Sequence, residues 1–182
     1  SSKIVEKINN LPDTYSIRTK QGGSIGINIQ RIFSVRPNTR QLFVINGAGP
    51  HGKGFLKRTK AVIAKLNLEN ITTYMVGTPL DDLLLQVAGL PKDSAIFYLI
   101  YQQDNNKEHF DSNGVLSKIS QHANAPVFGF YDSQFGHGIV GGEFATVKGY
   151  AEKTAQISLH VLQDKPPSKT PSTGVIPSDR YD

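Results

Sequence analysis

Cysteine is absent from this sequence of 182 residues. Its absence excludes disulfide bonds, thiol catalysis and zinc sites built on thiolates. The sequence also lacks an apolar run of roughly 18 residues, the length that a helix needs to span a bilayer. The first residues given do not show the pattern of a secretory signal peptide. The abrupt start at Ser1 resembles that of an excised fragment, so we expect membrane segments to flank it in the full protein.

The sequence also lacks a strong excess of charge of either sign, since the formal net charge is only +5. The basic residues are scattered, and their densest group lies on the polar side of a predicted helix: Lys53, Lys57, Arg58 and Lys60. A solvated helix face explains this group better than a nucleic-acid-binding patch does. We therefore expect no nucleic-acid partner.

Five histidines raise the question of a metal site: His51, His109, His122, His137 and His160. None of them forms an HxxxH or HxH pair, and no carboxylates are spaced to complete a site. The sequence therefore predicts neither a metal ion nor a cofactor.

Residues 41–132 alternate strand and helix signals. Four short apolar runs are typical of buried strands: 41–46, 71–76, 95–101 and 126–131. Amphipathic stripes between them predict helices at about 55–66, 79–87 and 115–119. Apolar strands that are each separated by one helix imply a parallel sheet covered on both faces. The sequence therefore predicts an α/β fold, a three-layer sandwich with a parallel, flavodoxin-like sheet.

The two ends differ from this middle part. An amphipathic helix is predicted before Pro37, and a long helix is predicted over about 144–163. Residues 136–142 are a glycine-rich crossing, and Val175–Ile176 are the candidate for a last edge strand. We divide the chain into a lead-in segment with a helix (1–36), an α/β lobe (37–138), and a crossing with the long helix and the tail (139–182).

The glycine-rich segment 47–54 follows a predicted strand and opens a helix, as a dinucleotide fingerprint does. That site also needs an acidic residue at the end of the second strand, where the sequence has Met75, Val76 and Gly77. A P-loop needs Ser or Thr where Gly54 stands, and Pro50 lacks a backbone donor. A strand-to-helix turn is our preferred interpretation. A polar or anionic ligand at the helix N-terminus and a nucleotide-dependent enzyme stay open.

The segment 131–138 is rich in polar and aromatic residues and begins at the carboxyl end of a predicted strand, where open α/β sheets bind ligands. Asp132 is suited to receive an amine or hydroxyl, with Tyr131 or Phe135 stacking on the apolar part of the ligand. A helix cap or turn built by Asp132 and Ser133 explains the same residues equally well. No serine lies on a G-x-S-x-G elbow, so the sequence predicts no catalytic residue.

The run 124–132, the Gly-His-Gly-Ile-Val-Gly-Gly segment 136–142 and the long helix that follows together resemble a known group. The group is the substrate-binding-protein-like domains of ABC transporters, in the branch that serves as extracytoplasmic input domains of bacterial histidine kinases and diguanylate cyclases. Segments 36–40 and 90–94 fit this branch as well, and the similarity covers roughly residues 24–165. It implies a type I periplasmic-binding fold, with a ligand in the cleft between two α/β lobes. Residues 139–144 would cross the hinge, where Gly141 and Gly142 supply flexibility.

Such a fold needs on the order of 100 residues for a first lobe before Ile25, so we expect that lobe to be incomplete. We also expect an exposed apolar face on the long helix unless the helix folds onto the lobe or a second chain covers it, which makes a homodimer one alternative.

The resemblance implies a non-enzymatic sensor for a small molecule, on the periplasmic side and tethered to the inner membrane. A fused histidine kinase or diguanylate cyclase module would read its state. Delivery of the ligand to an ABC permease is an alternative within the same fold. The expected ligand contacts lie at the carboxyl ends of the strands: Asn46, Gly47, Gly49, Tyr101, Gln102, Tyr131, Asp132 and Gln134.

Overall fold

Four parallel strands form the central sheet of the computed structural model, which describes residues 24–145, 147–163 and 177–181. The strands are β1 (Gln41–Asn46), β2 (Thr72–Val76), β3 (Ser94–Tyr98) and β4 (Val127–Phe128). They lie in the order β2-β1-β3-β4, with Val44 of β1 opposite Tyr74 of β2 and Phe97 of β3. This order is flavodoxin-like, and it confirms the predicted parallel α/β sheet.

Helices cover both faces of this sheet. The helices that pack against the sheet are α1 (Ile25–Val35), α2 (Pro50–Lys65), α3 (Leu80–Ala88) and α4 (Ser112–His122). Alternation along β1 sends Leu42 and Val44 into a core with α1 and α2, and Phe43 and Ile45 into a core with α3 and α4. Because every β1 side chain after Gln41 is buried, the strand reads as a continuous apolar run. The three-layer prediction is confirmed.

Local sequence explains where these helices begin. Ser24 caps α1 by accepting a hydrogen bond from the Ile27 amide (3.4 Å), and Asp111 caps α4 by accepting one from the Gly114 amide (2.7 Å). Pro50 stands in the first turn of α2, where its missing N–H costs nothing. The helix therefore begins about five residues before the apolar stripe that predicted it.

Two strands are shorter than the apolar runs predicted, because their last amides leave the sheet. The Tyr101 amide donates to the Ser112 hydroxyl at 3.0 Å. The amides of Phe130 and Tyr131 both donate to the side chain of Gln134. The chain thus turns away from the ladder before its apolar sequence ends.

The crossing after β4 is held by hydrogen bonds. The Val140 amide donates to the Val127 carbonyl at 2.7 Å. Asn28 in α1 then pairs with the backbone of Glu143: its Nδ2 donates to the Glu143 carbonyl (3.0 Å), and its Oδ1 accepts from the Glu143 amide (2.7 Å). A Cβ on Gly142 would lie 2.7 Å from Asn28 Oδ1, so this glycine allows a close approach. Its flexibility stays a prediction.

Two further strands form a second, two-stranded sheet: β5 (Gly141–Ala145) and β6 (Pro177–Tyr181). The predicted edge strand at residues 175–176 lies outside the described residues. Helix α5 (Val147–Leu162) belongs to a second compact unit. Its Leu159 and Leu162 side chains are exposed. No helix in the described segments has both the length and the apolar character needed to cross a bilayer.

Candidate functional site

The carboxyl ends of β1 and β3 form the switch point of the sheet. The two strands are neighbours, but the chain leaves β1 toward β2 and leaves β3 toward β4. The connections therefore diverge at this edge, and in open α/β sheets the resulting crevice is where ligands bind. The candidate site is built from the two segments that follow these strands, residues 47–51 and residues 99–110.

The segment after β3 is fastened to the glycine-rich turn after β1. The Gly47 amide donates to the Ile100 carbonyl and the Ala48 amide donates to the Gln103 carbonyl, both at 2.7 Å. A Cβ on Gly47 would lie 2.9 Å from that Gln103 oxygen. Glycine at position 47 thus allows two backbone segments to approach closely.

The same segment extends as far as β2. The Asn105 amide donates to the Gly77 carbonyl (2.8 Å), and Asn105 Nδ2 donates to the Val76 carbonyl (3.2 Å). Asn105 therefore occupies the end of β2, where a dinucleotide site places the acidic residue that binds the ribose.

A pocket of about 330 Å³ opens between the two segments. Its walls are formed by Gly49, Pro50, His51, Gln102, Gln103, His109 and Phe110. Gln103 and His109 form an isolated antiparallel bridge, and Gln103 Nε2 lies 3.1 Å from His109 Nε2. The backbone bridge and the side-chain contact together hold these two polar groups at the wall of the pocket.

Gly49 and Gln102 are the two predicted contacts that line this pocket. Asn46 does not line it: its side chain is fully buried, with Nδ2 donating to the Gly47 carbonyl at 2.7 Å. Tyr101 is also fully buried, and its hydroxyl donates to the Thr78 carbonyl. Burial, followed by the charges of Asp104 and Glu108, raises the pKa of Tyr101 to about 12, so this phenol stays neutral at physiological pH.

The three predicted contacts after β4 lie in a different environment. Tyr131 is half-buried and packs edge-on against Phe55 and Phe130, with ring centroids 5.7 Å and 5.0 Å apart. Asp132 is half-exposed and begins a short 3-10 turn (Asp132–Gln134), as the turn interpretation expects. Gln134 is buried and accepts from the amides of Phe130 (2.5 Å) and Tyr131 (2.9 Å).

Gln134 also donates from Nε2 to the Leu99 carbonyl at 2.9 Å. These three hydrogen bonds link the ends of β3 and β4 through the Gln134 side chain. Its polar atoms bond within the fold, which counts against the expected ligand contact at this position.

Sequence reasoning missed five of the pocket residues: Pro50, His51, Gln103, His109 and Phe110. The polar segment 102–109 has no hydrophobic periodicity. The sequence therefore gives no indication that this segment returns to the glycine-rich turn. A weak signal exists in Gly47 and Gly49, because glycines at the end of a buried strand often mark a close backbone approach. Among the described residues, no three His, Asp or Glu side chains converge on a point that would hold a metal ion.

No family model and no curated protein matches this chain. A solved structure from Vibrio cholerae O1 biovar El Tor strain N16961, a conserved domain protein, is similar in fold, with a TM-score of 0.60 at 18% sequence identity. The similarity covers 88% of this chain and 52% of that protein. The chain thus spans about half the length of this neighbour, and the likeness shows the fold alone.

Proposed function

We propose that this chain is the ligand-recognition domain of an extracytoplasmic small-molecule sensor, without a catalytic role. The observation that supports it is the pocket of about 330 Å³ at the switch point. Its volume lies in the range of roughly 300–1,000 Å³ that is usual for small-molecule sites.

The lining of the pocket suits a small polar ligand. Gln102 offers an amide that donates and accepts hydrogen bonds, and His51 offers its imidazole nitrogens. Gln103 and His109 contact each other through their Nε2 atoms, which leaves Gln103 Oε1 and His109 Nδ1 for a ligand. Phe110 adds an aromatic surface on which a planar or apolar part of the ligand can stack. Convergent polar groups beside one aromatic ring are typical of a site that orients a bound molecule.

The backbone bonds of the glycine-rich turn count against the nucleotide-dependent alternative. A phosphate cradle needs the amides of such a turn to point at the ligand. Here the amides of Gly47 and Ala48 donate to Ile100 and Gln103, and Asn105 occupies the end of β2. A phosphate would have to displace these bonds.

In the proposed role, a bound ligand shifts the equilibrium between two states of the sensor, and a fused histidine kinase or diguanylate cyclase module reads the shift. The resemblance of residues 24–165 to such input domains supports this role. Delivery to an ABC permease would use the same pocket. A kinase or cyclase module in the same reading frame would favour the sensor, and a neighbouring permease gene would favour the transporter.

Isothermal titration calorimetry of the whole chain tests the pocket, with amino acids, sugars, nucleosides and aromatic acids as ligands. Gly49→Leu places a side chain beside Gln103 at the wall of the pocket. Gly54→Leu, in the first turns of the helix that Gly49 caps, is the control, since a Cβ on Gly54 would meet no atom within 4 Å. We expect the first variant to abolish binding and the second to retain it.

Gln102→Ala provides a second pair, with Gln86→Ala as its control on the exposed side of α3. We expect Gln102→Ala to weaken binding by about tenfold, as the loss of a ligand hydrogen bond does. Circular dichroism establishes that each variant is folded. Unchanged affinity in both Gly49→Leu and Gln102→Ala would exclude this pocket as the binding site.

A further inference from the structure

We infer that the carboxyl edge of the sheet holds a second subsite, which takes the ammonium group of a small organic amine. The inference rests on the proposed function and names the chemical class of its ligand. The subsite is a cavity of about 600 Å³, lined by Pro79, Leu80, Asp81, Asp82, Asp104, Asn106, Glu108, Phe110 and Lys118.

The charge of this cavity is unbalanced. Four of its lining residues are acidic, and Lys118 is the one basic residue among them. Asp81 and Asp82 come from the first turn of α3, whereas Asp104 and Glu108 come from the loop after β3. The two elements therefore contribute carboxylates to one cavity, and the resulting negative potential favours a cationic ligand.

Asp104 is the residue that separates this cavity from an ordinary acidic surface. It is only 2% exposed, yet it lines the cavity. Its Oδ1 accepts from the Glu108 amide at 2.9 Å, and within the described part of the chain it makes no ion pair. The hydrogen bond from the Glu108 amide offsets only part of the desolvation of this carboxylate. A cation bound in the cavity would give Asp104 an ion-pair partner.

Phe110 favours an organic cation. Its ring lines this cavity and also the pocket at the switch point. It packs edge-on against Tyr101, with ring centroids 5.7 Å apart. An ammonium group over an aromatic face gains a cation–π interaction in addition to the carboxylates.

The shared ring also relates the two subsites to each other. A ligand whose polar body lies against Gln102 and Gln103 would pass Phe110 before its ammonium group meets Asp104. Tyr101 lies beneath and stays neutral, since burial and the same two carboxylates, Asp104 and Glu108, raise its pKa to about 12. A short amine with a polar or hydrocarbon body matches this arrangement.

The test is calorimetric titration of the whole chain with two amines, putrescine and choline. Their uncharged counterparts of similar shape are 1,4-butanediol and 3,3-dimethyl-1-butanol. We expect at least one amine to bind, with its counterpart about tenfold weaker or more, as the loss of a charged hydrogen bond implies. Binding of neither amine, or equal binding of an amine and its counterpart, overturns the inference.

Three variants locate the site. Asp104→Asn removes the buried charge but retains an acceptor for the Glu108 amide, and Phe110→Leu removes the aromatic face. Glu108→Gln changes an exposed position, so it tests the site even where Asp104→Asn fails to fold. We expect each of them to weaken amine binding several-fold. The matched control is Asp93→Asn, a half-exposed carboxylate before β3 at the opposite edge of the sheet, which should leave the affinity unchanged.

The remaining outcomes separate this inference from the proposed function. An uncharged ligand that binds, is lost in Gly49→Leu and is unaffected by Asp104→Asn would leave the sensor role standing and overturn the amine subsite. Displacement of putrescine by millimolar calcium chloride, at constant ionic strength, would assign the cavity to a metal ion and overturn it as well.

Discussion

Asn105 lies so close to Gly77 that a Cβ on the glycine would stand 2.6 Å from Asn105 Oδ1. Gly77 has a φ of +62°, and its carbonyl accepts from the Asn105 amide at 2.8 Å. The end of β2 and the loop after β3 therefore meet at one glycine. This contact holds the loop that forms the walls of both cavities.

Gly77→Ala is expected to lower the free energy of unfolding by about 2–4 kcal/mol. Alanine disfavours the left-handed backbone at this position, and its methyl group would also clash with the Asn105 side chain. Gly136→Ala is the matched control. Its φ is +78°, but a Cβ there would meet no atom within 4 Å, so we expect only about 1–2 kcal/mol. Urea unfolding of both variants measures the difference. Equal losses of unfolding free energy in the two variants would show that the Asn105 side chain moves aside at no energetic cost.

Gln134→Ala is expected to destabilise the fold by about 2–4 kcal/mol. The substitution leaves two amides and the Leu99 carbonyl without the partner that Gln134 provides. Gln86→Ala, on an exposed face of α3, should change the stability by less than about 0.5 kcal/mol. Chemical denaturation compares the two. A small effect at position 134 would contradict the structural role assigned to this side chain.

Asn28→Asp tests the joint between α1 and the crossing after β4. The carboxylate still accepts from the Glu143 amide, but it cannot donate to the carbonyls of Ser24 and Glu143 as Asn28 does. We expect a loss of about 2–4 kcal/mol at neutral pH, because a buried acceptor would face two carbonyl oxygens. Asn70→Asp, at an exposed position, is the control. Thermal denaturation compares the two variants. Equal melting temperatures would show that the hydrogen bonds of Asn28 do not stabilise the fold.

Alkaline pH should destabilise the fold in a defined window. Burial raises the pKa of Tyr101 to about 12 from an ordinary value of 10.0. Above about pH 10 the unfolded chain releases this proton while the folded chain retains it. The stability that Tyr101 contributes is therefore fully present below about pH 10 and is lost as the pH rises toward about 12. Burial also raises the pKa of Tyr98, which extends the loss to higher pH.

Urea unfolding at pH 8, 10 and 11 checks this prediction. Tyr101→Phe should lose stability less steeply over that interval than the unsubstituted chain, although its hydrogen bond to Thr78 is gone. Tyrosinate absorbance would follow the titration itself. An identical slope in both proteins would show that Tyr101 titrates normally.

The strands and helices of the sheet were predictable because their causes are local. Runs such as Gln41–Asn46 are apolar over the length of one strand, and the stripe of α2 repeats with the period of a helix. Burial on both faces of β1 explains why parallel strands were the right inference. The capping residues Ser24 and Asp111 are also readable as sequence.

The tertiary structure decided which polar residues reach the site. Tyr101 and Gln134 carry the side chains expected of ligand contacts, yet both bond to backbone groups that the fold brings to them. His109 and Phe110 line one pocket with Gly49 because the loop returns to the glycine-rich turn. The Gln103 carbonyl accepts there from the Ala48 amide, more than fifty residues earlier in the chain. Hydrophobic period is a property of neighbouring residues and can be read from sequence. The closure of a loop across the edge of a sheet depends on backbone hydrogen bonds between distant segments, which no local pattern in the sequence reveals.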